Sequence, residues 1–191
     1  MSANSGLFLV FTNIIKTMKQ TIKIKVLVEG CTPSISEDGD WIDLRAAEDV
    51  HFDGPTAEML KKHNGVRYRK VEFPIKHIPL GIAMQLPAGM EGITAPRSSS
   101  NKKFNILQTN SPGVIDQPYC GPDDQWHMPI MATGEVNIKK GDRICQFRIQ
   151  LSQKATFWQK LKWLFSSGVK IKLVDELDNP NRGGLGHSGI Q

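Results

Sequence analysis

TAPRSSSNKKFNILQTNSPGVIDQPYCGPDDQW, residues Thr94 to Trp126, is the stretch around which the chain is organised. Its first part, APRSSS (Ala95 to Ser100), follows a strand-like run and places the Arg97 guanidinium beside the hydroxyls of Ser98, Ser99 and Ser100. A planar guanidinium with hydroxyls next to it is a natural grip for phosphate oxygens. Its second part, GVIDQPYCG (Gly113 to Gly121), sets a carboxylate, Asp116, three residues before a phenol, Tyr119, between glycines. That pattern suits a hairpin presenting an acid, an aromatic face and backbone donors to a small ligand. An aspartate there also closes hairpin turns, which is the plainer reading of Asp116 taken alone.

Working outward, short strands dominate. Ile22, Ile24, Val26 and Val28 alternate with Lys23, Lys25 and Leu27 and predict a half-buried strand. Thr32 to Asp40 reads as loop, and WIDL (Trp41 to Leu44) as the next strand. Pro55 to His63 is read as a short helix. Val66 to Met84 is strand-like and broken by Pro74 and Pro79; Glu91 to Thr94, Met128 to Thr133, Glu135 to Ile138 and Arg143 to Ile149 follow. Many short strands with Gly and Pro turns predict an all-β barrel or sandwich. One segment differs. Phe157, Leu161, Leu164 and Phe165 recur at helical spacing among Lys154, Lys160 and Lys162, so a helix is expected within 154–165. Such a basic amphipathic helix can touch a membrane, but more often its stripe packs on its own protein or a neighbouring subunit. Asp178 to Gln191 is rich in Gly and Asn and reads as a mobile tail.

The composition narrows the class. A chain of 191 residues with 39% hydrophobic and 23% charged residues is an ordinary globular one. Its net charge of +5 is dispersed rather than clustered, which argues against nucleic-acid binding and suits an anionic substrate. Cys31, Cys120 and Cys145 are odd in number and unpaired in spacing, which argues against zinc and fits a reduced, cytoplasmic setting. Gly6 to Phe11 is apolar but too short to span a bilayer. Met18 directly precedes a good strand and is expected to be the natural start, with residues 1–17 as an extension outside the core domain, 18–177.

Five blocks now stand in order: WIDLRAAED (Trp41 to Asp49), APRSSS, GVIDQPYCG, KKGDRICQFRI (Lys139 to Ile149) and NRGGLGHSG (Asn181 to Gly189). Together they resemble the trimeric dUTP diphosphatases, in the branch found in Gram-positive bacteria and their phages. The resemblance implies a jelly-roll-like β barrel, a homotrimer with shared sites, and magnesium-assisted hydrolysis of dUTP to dUMP and pyrophosphate. That reaction limits uracil in DNA and supplies dUMP for thymidylate. By resemblance Asp116 orients and deprotonates the water. Tyr119 lies against the deoxyribose and excludes a 2′-hydroxyl. The backbone of Gly113, Val114 and Ile115 reads the uracil edge. Arg97, Ser98, Ser99 and Gln146 hold phosphate, and Asp142 and Arg143 support structure. Asp43 meets Mg2+ through water; a metal held mainly by substrate phosphates needs few protein ligands. Arg182, Gly184, Leu185 and Ser188 belong to a glycine-rich tail, 178–191, that closes over the site. Two departures stand out: Leu185 replaces the usual phenylalanine, and the spacing before it is two residues shorter than the common form.

Two rivals follow from the same residues. A dCTP deaminase shares the fold and a similar serine block, but its family places a glutamate after the hairpin. Trp126 to Ala132 has none, and Lys102 stands where that family has arginine. A regulator that senses dUTP without turning it over is the other, and the intact Asp116 and Tyr119 speak for catalysis.

Overall fold

The alternation at Ile22 and Ile24 becomes the first strand, and most of the remaining chain follows the same rule. The computed structural model describes residues 18–35, 39–59, 65–66 and 69–183. In chain order the strands are β1 (Gln20–Val26), β2 (Ser34–Ile35), β3 (Ile42–Arg45), β4 (Val50–Phe52), β5 (Thr56–Met59), β6 (Arg69–Glu72), β7 (Ile75–Pro79) and β8 (Ile82–Gln85). They continue as β9 (Met90–Pro96), β10 (Ile106–Gln108), β11 (Gly113–Ile115), β12 (His127–Ala132), β13 (Val136–Ile138), β14 (Arg143–Leu151) and β15 (Val169–Leu173). Helix α1 spans Ser100–Phe104 and α2 spans Phe157–Leu164.

The largest sheet has the order β11-β9-β14-β3-β2. A second runs β10-β12-β7 and a third β15-β1-β8, in which β15 lies parallel to β1 with Val169 opposite Gln20. Each sheet turns its apolar face to one shared core. Ile22 and Ile24 of β1, Leu44 of β3, Ile78 of β7, Ile82 of β8, Ile130 of β12 and Phe147 of β14 are all fully or almost fully buried in it. Trp126 stands at its centre, edge-on to Phe147 with ring centroids 5.2 Å apart. The architecture is therefore the expected all-β, jelly-roll-like barrel.

The expectation of a helix over Pro55 to His63 is corrected at Thr56–Met59, which is β5, paired antiparallel with β6. Cross-strand hydrogen bonds to β6 satisfy that backbone. Leu60 to His63 lie outside the described residues, as do residues 1–17 and Gly184, Leu185 and Ser188.

The helix expected near the end of the barrel forms as α2. Its start is a capping box: Gln159 N donates to Thr156 Oγ1 at 3.3 Å, and Thr156 N donates to Gln159 Oε1 at 2.8 Å. Trp163 packs against the core, while Phe157, Trp158 and Leu164 are exposed on this chain. Among the described residues no helix is long and apolar enough to cross a membrane.

The Trp126 Nε1–H is buried without a partner. Truncating Trp126→Ala is expected to cost about 3–5 kcal/mol by urea denaturation, as large core deletions do. Trp126→Phe, which keeps most of the ring and removes the orphaned donor, is expected to cost less than about 1.5 kcal/mol.

Candidate active site

Strand β14 is paired on both edges, and its register gathers one group of site residues. Gln146 lies opposite Ala95 of β9 on one side and Asp43 of β3 on the other. Residues directly opposite share a face, so Asp43 and Gln146 project together. Register shifts between Arg143 and Cys145, and this bulge leaves Arg143 pointing outward while Ile144 and Cys145 are both buried.

The Asp43 carboxylate, only 5% exposed, is the hub of this group. Arg97 Nε donates to one of its oxygens at 2.9 Å and Arg143 Nη1 to the other at 2.9 Å. A buried carboxylate needs such partners. Each guanidinium keeps free N–H groups for an anion. The three serines separate. Ser98 and Ser99 are exposed beside Arg97, whereas Ser100 is buried, donates to the Ile144 carbonyl at 2.6 Å and accepts from Arg97 N at 3.1 Å. Ser100 thus pins the turn into α1, and the hydroxyls left exposed beside Arg97 are those of Ser98 and Ser99. Asp142 accepts from Lys139 N at 3.0 Å and closes the turn before β14, the supporting part expected of it.

The second group lies on the other flank of β9. Strand β11 pairs with β9, Gly113 opposite Thr94 and Ile115 opposite Gly92. A Cβ on Gly113 would lie 2.3 Å from Thr94 Oγ1, so only glycine allows this approach. Beyond β11 the backbone turns at Asp116, whose carbonyl accepts from Tyr119 N at 3.0 Å. The Tyr119 hydroxyl donates to the Gln125 carbonyl at 2.8 Å. Burial, and then the charge of Asp124, push this phenol above its ordinary value, so it stays neutral.

Between this hairpin and strands β7 and β12 lies a cavity of about 280 Å³, lined among others by Thr94, Asn110, Val114, Ile115, Tyr119 and His127. It is large enough for a ring with a sugar attached. The sequence reading missed Asn110, His77, Gln125 and His127 as lining residues. Asn110, three residues before Gly113, and Gln125, next to Trp126, both sit inside the quoted stretch and were findable there. His77 and His127 reach the cavity only through the pairing of β7 with β12.

Asp116 itself is exposed, and its carboxylate faces Arg182 Nη1 at 3.3 Å. It does not meet the Asp43 group within one chain. By the antiparallel register Asp116 falls opposite Glu91, six residues along β9 from Arg97, a span of roughly 20 Å at strand rise. Among the described residues no group of three or more His, Cys, Asp or Glu side chains could cage a metal. Asp43 has each oxygen already accepting from an arginine and keeps further lone pairs on both.

A β barrel that offers two guanidiniums and two hydroxyls at one sheet edge, and a sugar-and-base-sized cavity beside a hairpin carboxylate, is a nucleotide-binding barrel. The dUTPase family model matches residues 72–162. The SPbeta prophage-derived deoxyuridine 5'-triphosphate nucleotidohydrolase of Bacillus subtilis (strain 168) is 45% identical over 171 residues, covering 89% of this chain and 99% of the relative. The deoxyuridine 5'-triphosphate nucleotidohydrolase of Finegoldia magna is 33% identical over 114 residues, 59% of this chain and 69% of that protein. Among solved structures, a dUTPase from phage phi11 of S. aureus, described for its coordination of a structural Mg(II) ion, superposes with a TM-score of 0.54 at 16% identity. It covers 71% of this chain and 94% of that one. A Staphylococcus bacteriophage 80alpha dUTPase variant with dUpNHpp gives 0.51 at 17% identity, over 88% and 98%. The chain belongs to the dUTPase family.

His127 Nδ1 lies 2.9 Å from the Gln125 carbonyl, which can only accept, so the proton sits on Nδ1. Burial lowers the His127 imidazole below its ordinary value; the hydrogen bond to Gln125 opposes this, and His77 adds to it. A depressed imidazole means the unfolded chain binds the proton more readily, so stability falls as pH drops below about 6.5. Thermal melts from pH 8 to pH 5 are expected to show that loss, and to show less of it in His127→Asn.

Proposed function

We propose that this chain hydrolyses dUTP to dUMP and pyrophosphate, the activity by which its relatives are named, and so keeps uracil out of DNA while supplying dUMP for thymidylate. The observation that carries the reading is the joint presence of the hairpin cavity with Asp116 at its rim and the Asp43–Arg97–Arg143 group at the sheet edge. The base sits in the cavity against the backbone of Gly113, Val114 and Ile115, with Tyr119 against the deoxyribose. A ring in that position leaves no room for a 2′-hydroxyl.

Asp116 holds a water in line with the α-phosphorus and takes its proton. The water oxygen bonds to that phosphorus as the bond to the bridging oxygen breaks. Pyrophosphate departs, held by Arg97, Ser98, Ser99 and Gln146, and the proton passes from Asp116 to solvent. Fixed donors aimed at the developing charge supply much of the acceleration. Mg2+ carried on the triphosphate would supply charge neutralisation, and Asp43 is the residue that would meet it through water. The tail residues Arg182, Gly184, Leu185 and Ser188 close over the phosphates.

The roughly 20 Å between Asp116 and Arg97 along β9 supports assembly. We read each site as shared in a homotrimer, one chain supplying the Asp43 group and its neighbour the hairpin. Unpaired thiols at Cys31, Cys120 and Cys145 suit the reducing cytoplasm. A dUTP-sensing role alongside turnover is favoured by one observation, the exposed Phe157, Trp158 and Leu164 on α2, a face a regulatory partner would need.

Asp116→Asn is expected to lower kcat roughly 100- to 10,000-fold while leaving the affinity for dUpNHpp within about threefold; loss of that affinity in a folded protein would overturn the role. Co-expressed Asp116→Asn and Arg97→Ala chains, each inactive alone, are expected to regain activity at about one quarter of the sites of randomly mixed trimers. Absence of any recovery would show that sites are not shared.

A further inference from the structure

Gln108, the last residue of β10, is 8% exposed, is not among the lining residues of the base cavity and has no part in the chemistry above. Its amide is bound at one end only. Nε2 donates to Asn110 Oδ1 at 3.1 Å and to Thr94, whose Oγ1 lies at 3.2 Å and whose carbonyl oxygen lies at 3.4 Å. Oε1 is buried without a partner. The Thr94 hydroxyl is itself committed, donating to the Gly113 carbonyl at 3.4 Å.

These contacts have one consistent polarity. A carbonyl can only accept, and the Thr94 hydroxyl proton is already spent, so the Gln108 amide must turn its NH2 toward Thr94. The second N–H of the same group meets Asn110, and the atom that receives it must be Oδ1. Asn110 is exposed and lines the cavity; unrestrained, it could present either end of its amide. With Oδ1 taken it presents Nδ2, a donor. A Cβ on Gly113 would lie 3.3 Å from that nitrogen, so the donor stands against the hairpin strand. The orphaned Oε1 of Gln108 is tolerated because turning the amide over would set it against the Thr94 carbonyl, acceptor to acceptor.

We propose that Gln108 is a positioning residue that selects uracil over cytosine: it locks the Asn110 amide with Nδ2 toward the cavity, so that the site offers a donor to the 4-keto oxygen. This rests on the reading that the cavity takes the base. Uracil and cytosine share an outline and differ at two positions of one edge. Uracil carries an acceptor at position 4 and an N–H at position 3; cytosine carries an amino group and a bare nitrogen. A fixed N–H donor pairs with the uracil oxygen and meets the cytosine amino group donor to donor. Leaving both of those groups unpaired is what rejects the wrong base. Gln108 touches no nucleotide and acts only through Asn110. Its own polarity is dictated in turn by the backbone of β9, at Thr94.

The test reads binding of dUMP and dCMP by titration calorimetry, which needs no turnover. The unaltered chain is expected to prefer dUMP. Gln108→Met, similar in volume but without a donor, frees the Asn110 amide and is expected to cut that preference on the order of ten-fold, the scale of one lost hydrogen bond. Gln108→Glu reverses the lock: with its protonated oxygen on the Thr94 carbonyl, its other oxygen accepts from Asn110 Nδ2 and turns Oδ1 to the cavity. This variant is expected to move the preference further toward dCMP than Gln108→Met does. Asn110→Asp, at an exposed position, offers the base an acceptor directly and is expected to shift the ratio the same way. A Gln108 that merely supports the fold would weaken both nucleotides alike, so an unchanged ratio in folded Gln108→Met or Gln108→Glu overturns the proposal. If neither variant folds, an unchanged ratio in Asn110→Asp overturns it. An unaltered chain without preference overturns it together with the reading of the cavity as the base site, and dUTP turnover measured alongside shows whether the activity survives that reading.

Discussion

A strand hydrogen-bonded on both edges cannot slip by one residue without breaking two ladders and turning its side chains inside out. Strand β14 is in that position, with β9 on one edge and β3 on the other. Cys145, Phe147 and Ile149 face the core, so the register is held by burial as well as by hydrogen bonds. The whole Asp43 group depends on it. Asp43 comes from β3, Gln146 from β14, and Arg97 from just past the end of β9; none is near another in sequence. The bulge at the start of β14 then turns Arg143 to the same side, which lets one buried carboxylate organise two guanidiniums.

The hairpin side of the site obeys a different constraint. Strand β11 is only three residues long and sits at the sheet's margin, where Gly113 lies against Thr94 without room for a side chain. A short marginal strand leaves its backbone free to meet a ligand edge, as the central strands cannot. The cavity is therefore lined on one side by the hairpin, from Val114 to Tyr119, and on the other by His77 of β7 and His127 and Pro129 of β12.

Much of this was legible in the chain. Period-two alternation found β1, and an apolar stripe at helical spacing found α2. The blocks contained Asp43, Arg97 and Gln146, which the sheet brings together. What the sequence could not display were consequences of pairing at long range. Ser100 looks like a third phosphate hydroxyl beside Ser98 and Ser99, but its partner is a carbonyl on β14. His77 and His127 are fifty residues apart and meet only because β7 and β12 are neighbours. Thr56–Met59 carries residues that a helix would accept, and became a strand because β6 lies beside it.

The distribution of thiols has a practical consequence. Cys31 and Cys145 are buried, and burial pushes both above the ordinary thiol value, so neither is open to alkylating reagents in the folded protein. Cys120 is half-buried, directly after Tyr119, and its thiol is raised more by burial than by the charge of Asp124. It is the single slow-reacting handle on the chain, and it sits on the hairpin. Its rate of modification is thus an intrinsic clock for how open the hairpin is, read on the unaltered protein without introducing a probe.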